Sequence, residues 1–159
     1  LDRQVALPGA AEADPGLSRP ELPRLRGDLD AELDGGRLVA AHPRHRAGAA
    51  TLVDVRTEAE WAFVGHVDGV PLVEWRAFGA QVPNARFIEQ LREHAPADLP
   101  VMFLCRSGVR SQGAAEAATR AGWRVALNVL EGFEGDLDDE GRRGTLGGWR
   151  KAGLPWLQS

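Results

Sequence analysis

Seven consecutive residues hold the chemistry that this chain can do: Cys105, Arg106, Ser107, Gly108, Val109, Arg110 and Ser111. Cys105 is the only cysteine in 159 residues. It follows an apolar run, Val101, Met102, Phe103 and Leu104, that reads as a buried strand. It precedes a stretch of small residues over 111–121 that reads as a helix. A thiol at that junction meets converging backbone N–H groups and the positive end of a helix dipole, which favour the thiolate. Arg106 and Arg110 add positive charge in the same place. The pattern is a nucleophile centred in an anion-holding loop, the requirement for covalent catalysis through sulfur. Most lone cysteines are buried and inert. Arginine, serine and glycine directly after the strand suit such a core-filling role poorly.

The elements that must carry this loop can be read in order. Residues 51–55 form an apolar run that reads as a buried strand, with Asp54 and Arg56 at its end, the ligand side of an open α/β sheet. Thr57 followed by Glu60 is a capping-box pattern, so a helix starts there, with Trp61 and Val64 facing the core. Residues 67–75 hold a short extended segment bounded by Gly69 and Pro71. Residues 84–94 read as a helix with Phe87, Ile88 and Leu91 on one face, ended by Ala95 and Pro96. The helix after the cysteine contains Gly113, Ala114, Ala115, Ala117 and Ala118, small enough to pack closely on a sheet, and stops at Gly122. Residues 124–130 read as a further strand. The expected fold is α/β, a mostly parallel sheet of about four or five strands with helices on both faces.

Three blocks in the same order resemble the rhodanese-like sulfurtransferases. Cys105 to Ser111 is similar to that family's active-site loop. Asp54-Val55-Arg56, with Glu60-Trp61 and Gly65-His66, is similar to its first block. Gly148-Trp149 with Ala152-Gly153-Leu154-Pro155 resembles its closing block. The resemblance spans roughly 51–156. It implies a rhodanese-like fold and a sulfane sulfur carried as a persulfide on Cys105. Thiosulfate is the family's model donor, with cyanide, a thiol or a protein as acceptor, and no metal or organic cofactor is required. The loop amides from Arg106 to Ser111 are expected to hold the anionic donor, and Gly108 to take a positive φ so that they converge. Arg110 is expected to steer the sulfonate end of the donor. Arg106 either shares that task or points to solvent. Ser107 and Ser111 are expected to donate hydrogen bonds, and Ser111 is equally placed to cap the helix. The resemblance also implies that Asp54, Arg56 and His66 organise the domain rather than catalyse.

The chain departs from the family in two places. Gly69-Val70-Pro71 stands where an asparagine usually precedes the proline. An acidic insertion near 136–147 carries Asp136, Asp138, Asp139 and Glu140 ahead of Arg142 and Arg143. It leaves a strand end on the cysteine side, and two readings stay open: a solvated loop, or a border of the pocket.

Two other functions remain to be weighed. Cysteine-dependent phosphatases and arsenate reductases also place Cys and Arg on one loop, but the related phosphatases have one residue more between them than the four here, Arg106 to Val109. The shorter ring suits a sulfur atom better than a phosphate group. A non-enzymatic rhodanese-like module, a persulfide carrier or partner-binding domain, is the other alternative.

Length and composition set the bounds. The chain has room for one domain with a sizeable core, read as a domain over 37–159 behind an irregular arm over 1–36. That arm is rich in proline and glycine, with a short helix expected around 21–33. With 19 basic and 23 acidic residues, a net charge of −4 gives no reason to expect nucleic acid. No apolar run approaches ~18 residues, so no membrane partner is expected. A single cysteine and four scattered histidines argue against a structural zinc site. His42 and His45 among the arginines over 37–46 read as a solvated loop rather than a metal or phosphate site. A lone reactive thiol suits a reducing, cytoplasmic compartment. The chain begins at Leu1, and removal of a signal peptide would make a periplasmic location the alternative.

Overall fold

The computed structural model describes residues 38–159, so the arm and the short helix expected within it lie outside the described residues. Helix α1, Leu38–Arg46, leads into β1, Thr51–Asp54. Helices α2, Glu58–Val64, and α3, Phe87–His94, follow before β2, Val101–Leu104. Helix α4, Val109–Arg120, then connects to β3, Ala126–Asn128. The sheet is parallel in the order β1-β2-β3, with Thr51 opposite Val101 and Val101 opposite Ala126. A bridge between Asp54 and Leu72 adds the extended segment after Pro71 beside β1. The sheet is therefore three regular strands with a short parallel neighbour, at the lower end of the expected width. Despite its departure from the family pattern, Gly69-Val70-Pro71 still delivers Leu72 to β1.

Both faces of the sheet are covered, which is why β1 and β2 are apolar on both sides. On one face Val53, Val55, Val101, Phe103 and Cys105 pack with Phe87 and Leu91 of α3 and Ala114, Ala115 and Ala118 of α4. On the other, Leu52, Met102 and Leu104 pack with Ala41 of α1, Phe133 and Trp149. The small residues of α4 bring it close: a Cβ placed on Gly113 would stand 3.1 Å from Trp75 Nε1.

The capping box is formed. Thr57 Oγ1 accepts from the Glu60 N–H at 3.3 Å, and Glu60 Oε2 accepts from the Thr57 N–H at 3.1 Å. Trp61 and Val64 are half-buried, and Val64 packs against the core as expected. The closing block folds back onto the domain, where Trp149 is fully buried and donates to Pro155 O at 2.8 Å. Leu157 pairs with His66.

Three expectations are corrected. Residues 38–46 are helical, not a loop, although Pro43 lies inside the helix. Its residues show little helical amphipathy, and what holds them is tertiary packing: Ala41 enters the core and His42 meets the Trp149 ring edge-on at 5.7 Å. β3 is three residues long, because only β2 pairs with it and its residues are half-buried. Helix α4 begins at Val109 with Gly108 as its N-cap, so Ser111 lies inside the first turn and does not cap.

Candidate active site

β2 ends at Leu104 and delivers Cys105, which is 1% exposed, at the C-terminal edge of the sheet. The chain then turns sharply through Gly108, whose φ of +88° is open to glycine and strained for other residues. That turn aims the Gly108 N–H at Cys105 Sγ, 3.1 Å away. Ser111 Oγ stands 3.1 Å from the same sulfur. The first N–H groups of α4 have no partner within the helix and open toward this end. Cys105 shares its hydrocarbon side with Val53, Phe103 and Ala114 and meets polar donors on the other.

The loop is buttressed from outside. Cys105 O accepts from Phe133 N–H at 2.7 Å, and Arg106 O accepts from Glu134 and Gly135 N–H groups at 2.9 and 3.2 Å. Gly132 sits so close that a Cβ there would be 2.5 Å from the Arg106 carbonyl carbon and Ser107 N. On the inner side Asn128, the last residue of β3, donates to Gly108 O at 2.9 Å and lies 2.6 Å from Ser111 Oγ. Sequence reasoning missed Asn128. The available signal was a lone amide in the apolar stretch from Val125 to Leu130, level with the end of the cysteine's own strand.

The two arginines have different surroundings. Both terminal nitrogens of Arg110 donate to the Glu60 carboxylate, at 2.7 and 2.6 Å. Burial pushes the Glu60 carboxyl up, but the hydrogen bonds from Arg110 and Thr57 and the Arg110 charge outweigh it and hold it down at about 2. The Glu60 hydrogen bond, opposed by burial and joined by the Glu60, Cys105 and Asp54 charges, raises Arg110. The residue expected to steer an anion is thus engaged by a carboxylate. The charge of Arg110 was visible in the sequence; its partner fifty residues earlier was not. Arg106 is exposed and has no ion-pair partner among the described residues. Val109 is 78% exposed, Ser107 half-buried and Ser111 fully buried.

Asp54 and Arg56 are buried together, at 1% and 0% exposure. Arg56 donates to both Asp54 oxygens and to Gly65 O at 2.7 Å, and lies 4.1 Å over the Phe133 ring. The pair clamps the start of α2 to its end and to the turn beside the loop. His66 stacks on Trp61 at 3.5 Å. The 136–147 segment closes on itself: Asp138 accepts from Glu140 N–H, Arg142 N–H and the Thr145 hydroxyl at 3.0, 2.8 and 2.9 Å. It meets the cysteine loop through the turn behind it: Gly144 N–H and Arg143 donate to Glu134 O and Gly135 O, each at 2.7 Å, and the N–H groups of those two residues hold Arg106 O. Among the described residues no group of three or more His, Cys, Asp or Glu is placed to hold a metal ion, and no helix is long and apolar enough to cross a membrane.

Comparison with known proteins agrees with this geometry. Residues 38–138 match the family model of the Rhodanese-like domain. An uncharacterized protein of Rickettsia conorii is 38% identical over 112 residues, which are 67% of this chain and 82% of that one. A crystal structure from M. tuberculosis superposes with a TM-score of 0.68 at 51% identity, covering 77% of this chain and 94% of that chain. A tRNA uridine(34) hydroxylase of Chlamydia abortus is 28% identical over 135 residues, 83% of this chain and 39% of that protein.

Proposed function

Because the chain belongs to the rhodanese-like domain family, we propose that it is a sulfurtransferase that carries a sulfane sulfur as a persulfide on Cys105. The observation that carries this reading is the convergence of the Gly108 N–H and the Ser111 hydroxyl on a buried cysteine sulfur, each at 3.1 Å, at the start of α4. In the first step the Cys105 thiolate attacks the outer sulfur of thiosulfate or a similar donor. The new bond is Sγ–S, the donor's S–S bond breaks, and sulfite leaves with the electron pair. In the second step cyanide, a thiol or a protein acceptor attacks the terminal sulfur, and the thiolate returns. This is ping-pong covalent catalysis.

Each loop residue has a part in this reading. Arg106, exposed and unpaired, draws the anionic donor in. Gly108 supplies the turn, Ser111 and the loop amides meet the charge on sulfur, and Val109 and Ser107 form the rim. Arg110, held by Glu60, fixes the loop and lends its field. Cys105 is 1% exposed, so a donor that meets it with a single terminal atom suits this reading. A phosphate ester would need a wider ring of donors.

The test is intact mass after incubation with thiosulfate. The expected result is a gain of one sulfur atom, removed by cyanide and absent in Cys105→Ser. An unchanged mass with hydrolysis of an aryl phosphate would favour the phosphatase instead. The match to tRNA uridine(34) hydroxylases supports a second reading, a domain whose sulfur loop serves a tRNA-modifying activity. A shift of tRNA on a native gel, with no persulfide formed, would favour that reading.

A further inference from the structure

Asn128 has no part in the reaction as described, yet its amide is placed on the one hydroxyl that touches the nucleophile. Its Nδ2 donates to Gly108 O at 2.9 Å and to Gln112 Oε1 at 3.3 Å. Both partners are acceptors, so the nitrogen end of the amide is fixed and Oδ1 must face Ser111. Ser111 Oγ lies 2.6 Å from that oxygen and 3.1 Å from Cys105 Sγ. A hydroxyl has one proton, and Oδ1 has none to give. The proton therefore serves either Asn128 or the sulfur, never both.

We propose that Asn128 is a positioning residue that competes with the Cys105 sulfur for the Ser111 proton and so sets which charge state of that sulfur the loop favours. With a neutral thiol, the hydroxyl donates to Asn128 Oδ1 and accepts the S–H. When the thiol proton leaves to solvent, a lone pair on Ser111 Oγ faces a negative sulfur, and the hydroxyl turns to donate to it, abandoning Asn128. Attack on the donor then places the negative charge on the terminal sulfur. Sγ becomes neutral, and the hydroxyl returns to Asn128. The amide thus holds the thiolate less stable and more basic than Ser111 alone would, and favours its conversion to the loaded state. The last part rests on the sulfur-transfer reading; the competition for the proton does not.

The other charged groups around the sulfur are Arg110 with Glu60, exposed Arg106, and Asp54 with Arg56 at the end of β1. A substitution at position 128 leaves all of them in place. The experiment is the rate of Cys105 alkylation by iodoacetamide as a function of pH, in the full chain. Asn128→Leu should move the midpoint of the profile toward acid by about half to one unit, the worth of the neutral Ser111–Asn128 hydrogen bond that ionisation no longer has to break. In a Ser111→Ala background the same substitution should leave the midpoint where it is. Equal shifts in the two backgrounds, or none in either, would overturn the proposal, since Asn128 would then act only through the Gly108 carbonyl. If the leucine variant does not fold, Asn128→Asp serves. It should shift the profile toward alkali, and by more with Ser111 present than with Ser111→Ala; equal shifts overturn the idea. Alkylation needs no sulfur donor, so a failed mass-shift assay and a failed proton competition remain distinguishable.

Discussion

Replacing Glu60 by glutamine removes one charge from the frame of the loop while keeping its shape. The amide oxygen can still accept from the Thr57 N–H, so the cap of α2 survives, and what is lost is the charge facing Arg110. That carboxyl is held at about 2, against an ordinary 4.5. At about 1.4 kcal/mol for each pKa unit, ionised Glu60 contributes about 3 kcal/mol to folding at neutral pH. The side chains of Arg110 and Glu60 are 21% and 20% exposed, and solvent screening lowers the expectation to about 2 kcal/mol. The folded-state value lies below the unfolded one. As the pH falls, the unfolded chain therefore takes up the proton first, and the contribution, complete above 4.5, is lost toward 2. Arg110, shifted upward by the same pair, titrates far above this window. Urea denaturation of both proteins at a series of pH values tests this. The glutamine variant should be the less stable by about 2 kcal/mol at about pH 7 and about pH 5, with the gap closing at about pH 3 and below. A gap that stays constant into acid, or none at neutral pH, would refute the reasoning.

Two further substitutions read out the geometry directly. Gly108→Ala combines a φ of +88° with a Cβ that would collide with Leu130 O, whereas Gly122→Ala has a φ of +107° and open space around it. The second should cost about 1–2 kcal/mol and leave persulfide formation intact, the first should cost more and slow it at least about tenfold, measured by thermal melts and intact mass over time. Arg56→Met leaves Asp54 buried without its partner and should destabilise by about 3–5 kcal/mol in urea, while the double variant with Asp54→Leu should recover much of that loss.

What the sequence disclosed was what local patterns encode. The strand that delivers Cys105, the capping box at Thr57, the apolar face of α3 and the glycine turn at position 108 each follow from residues within one turn of each other. What it hid depends on distant partners. Residues 38–46 look like a charged loop until Trp149, more than a hundred positions later, is placed against His42. Arg110 looks like a free cation until α2 brings Glu60 to it. Asn128 looks like an ordinary strand residue until β3 is set beside β2 and its amide meets Gly108 and Ser111. The alternation over 124–130 overstated β3, since alternation does not report how many neighbours a strand has.

The selection of sulfur over phosphate in the proposed reaction rests on more than the number of residues between Cys105 and Arg110. A ring of that length could widen if its outer wall gave way. Here the wall is backbone: Phe133 and Glu134 N–H groups hold the Cys105 and Arg106 carbonyls at 2.7 and 2.9 Å, and Gly132 lies against the Arg106–Ser107 peptide with no room for a methyl group. The inner wall is Asn128 on Gly108 O, and the far end is fixed by Arg110 on Glu60. Widening the ring toward the size a phosphate needs would break the turn that follows β3, the amide clamp or the ion pair, each anchored on a different element. The shape of the loop is thus held by the sheet edge as a whole, and the acidic insertion, bonded to Glu134 O through Gly144, strengthens the same wall from behind.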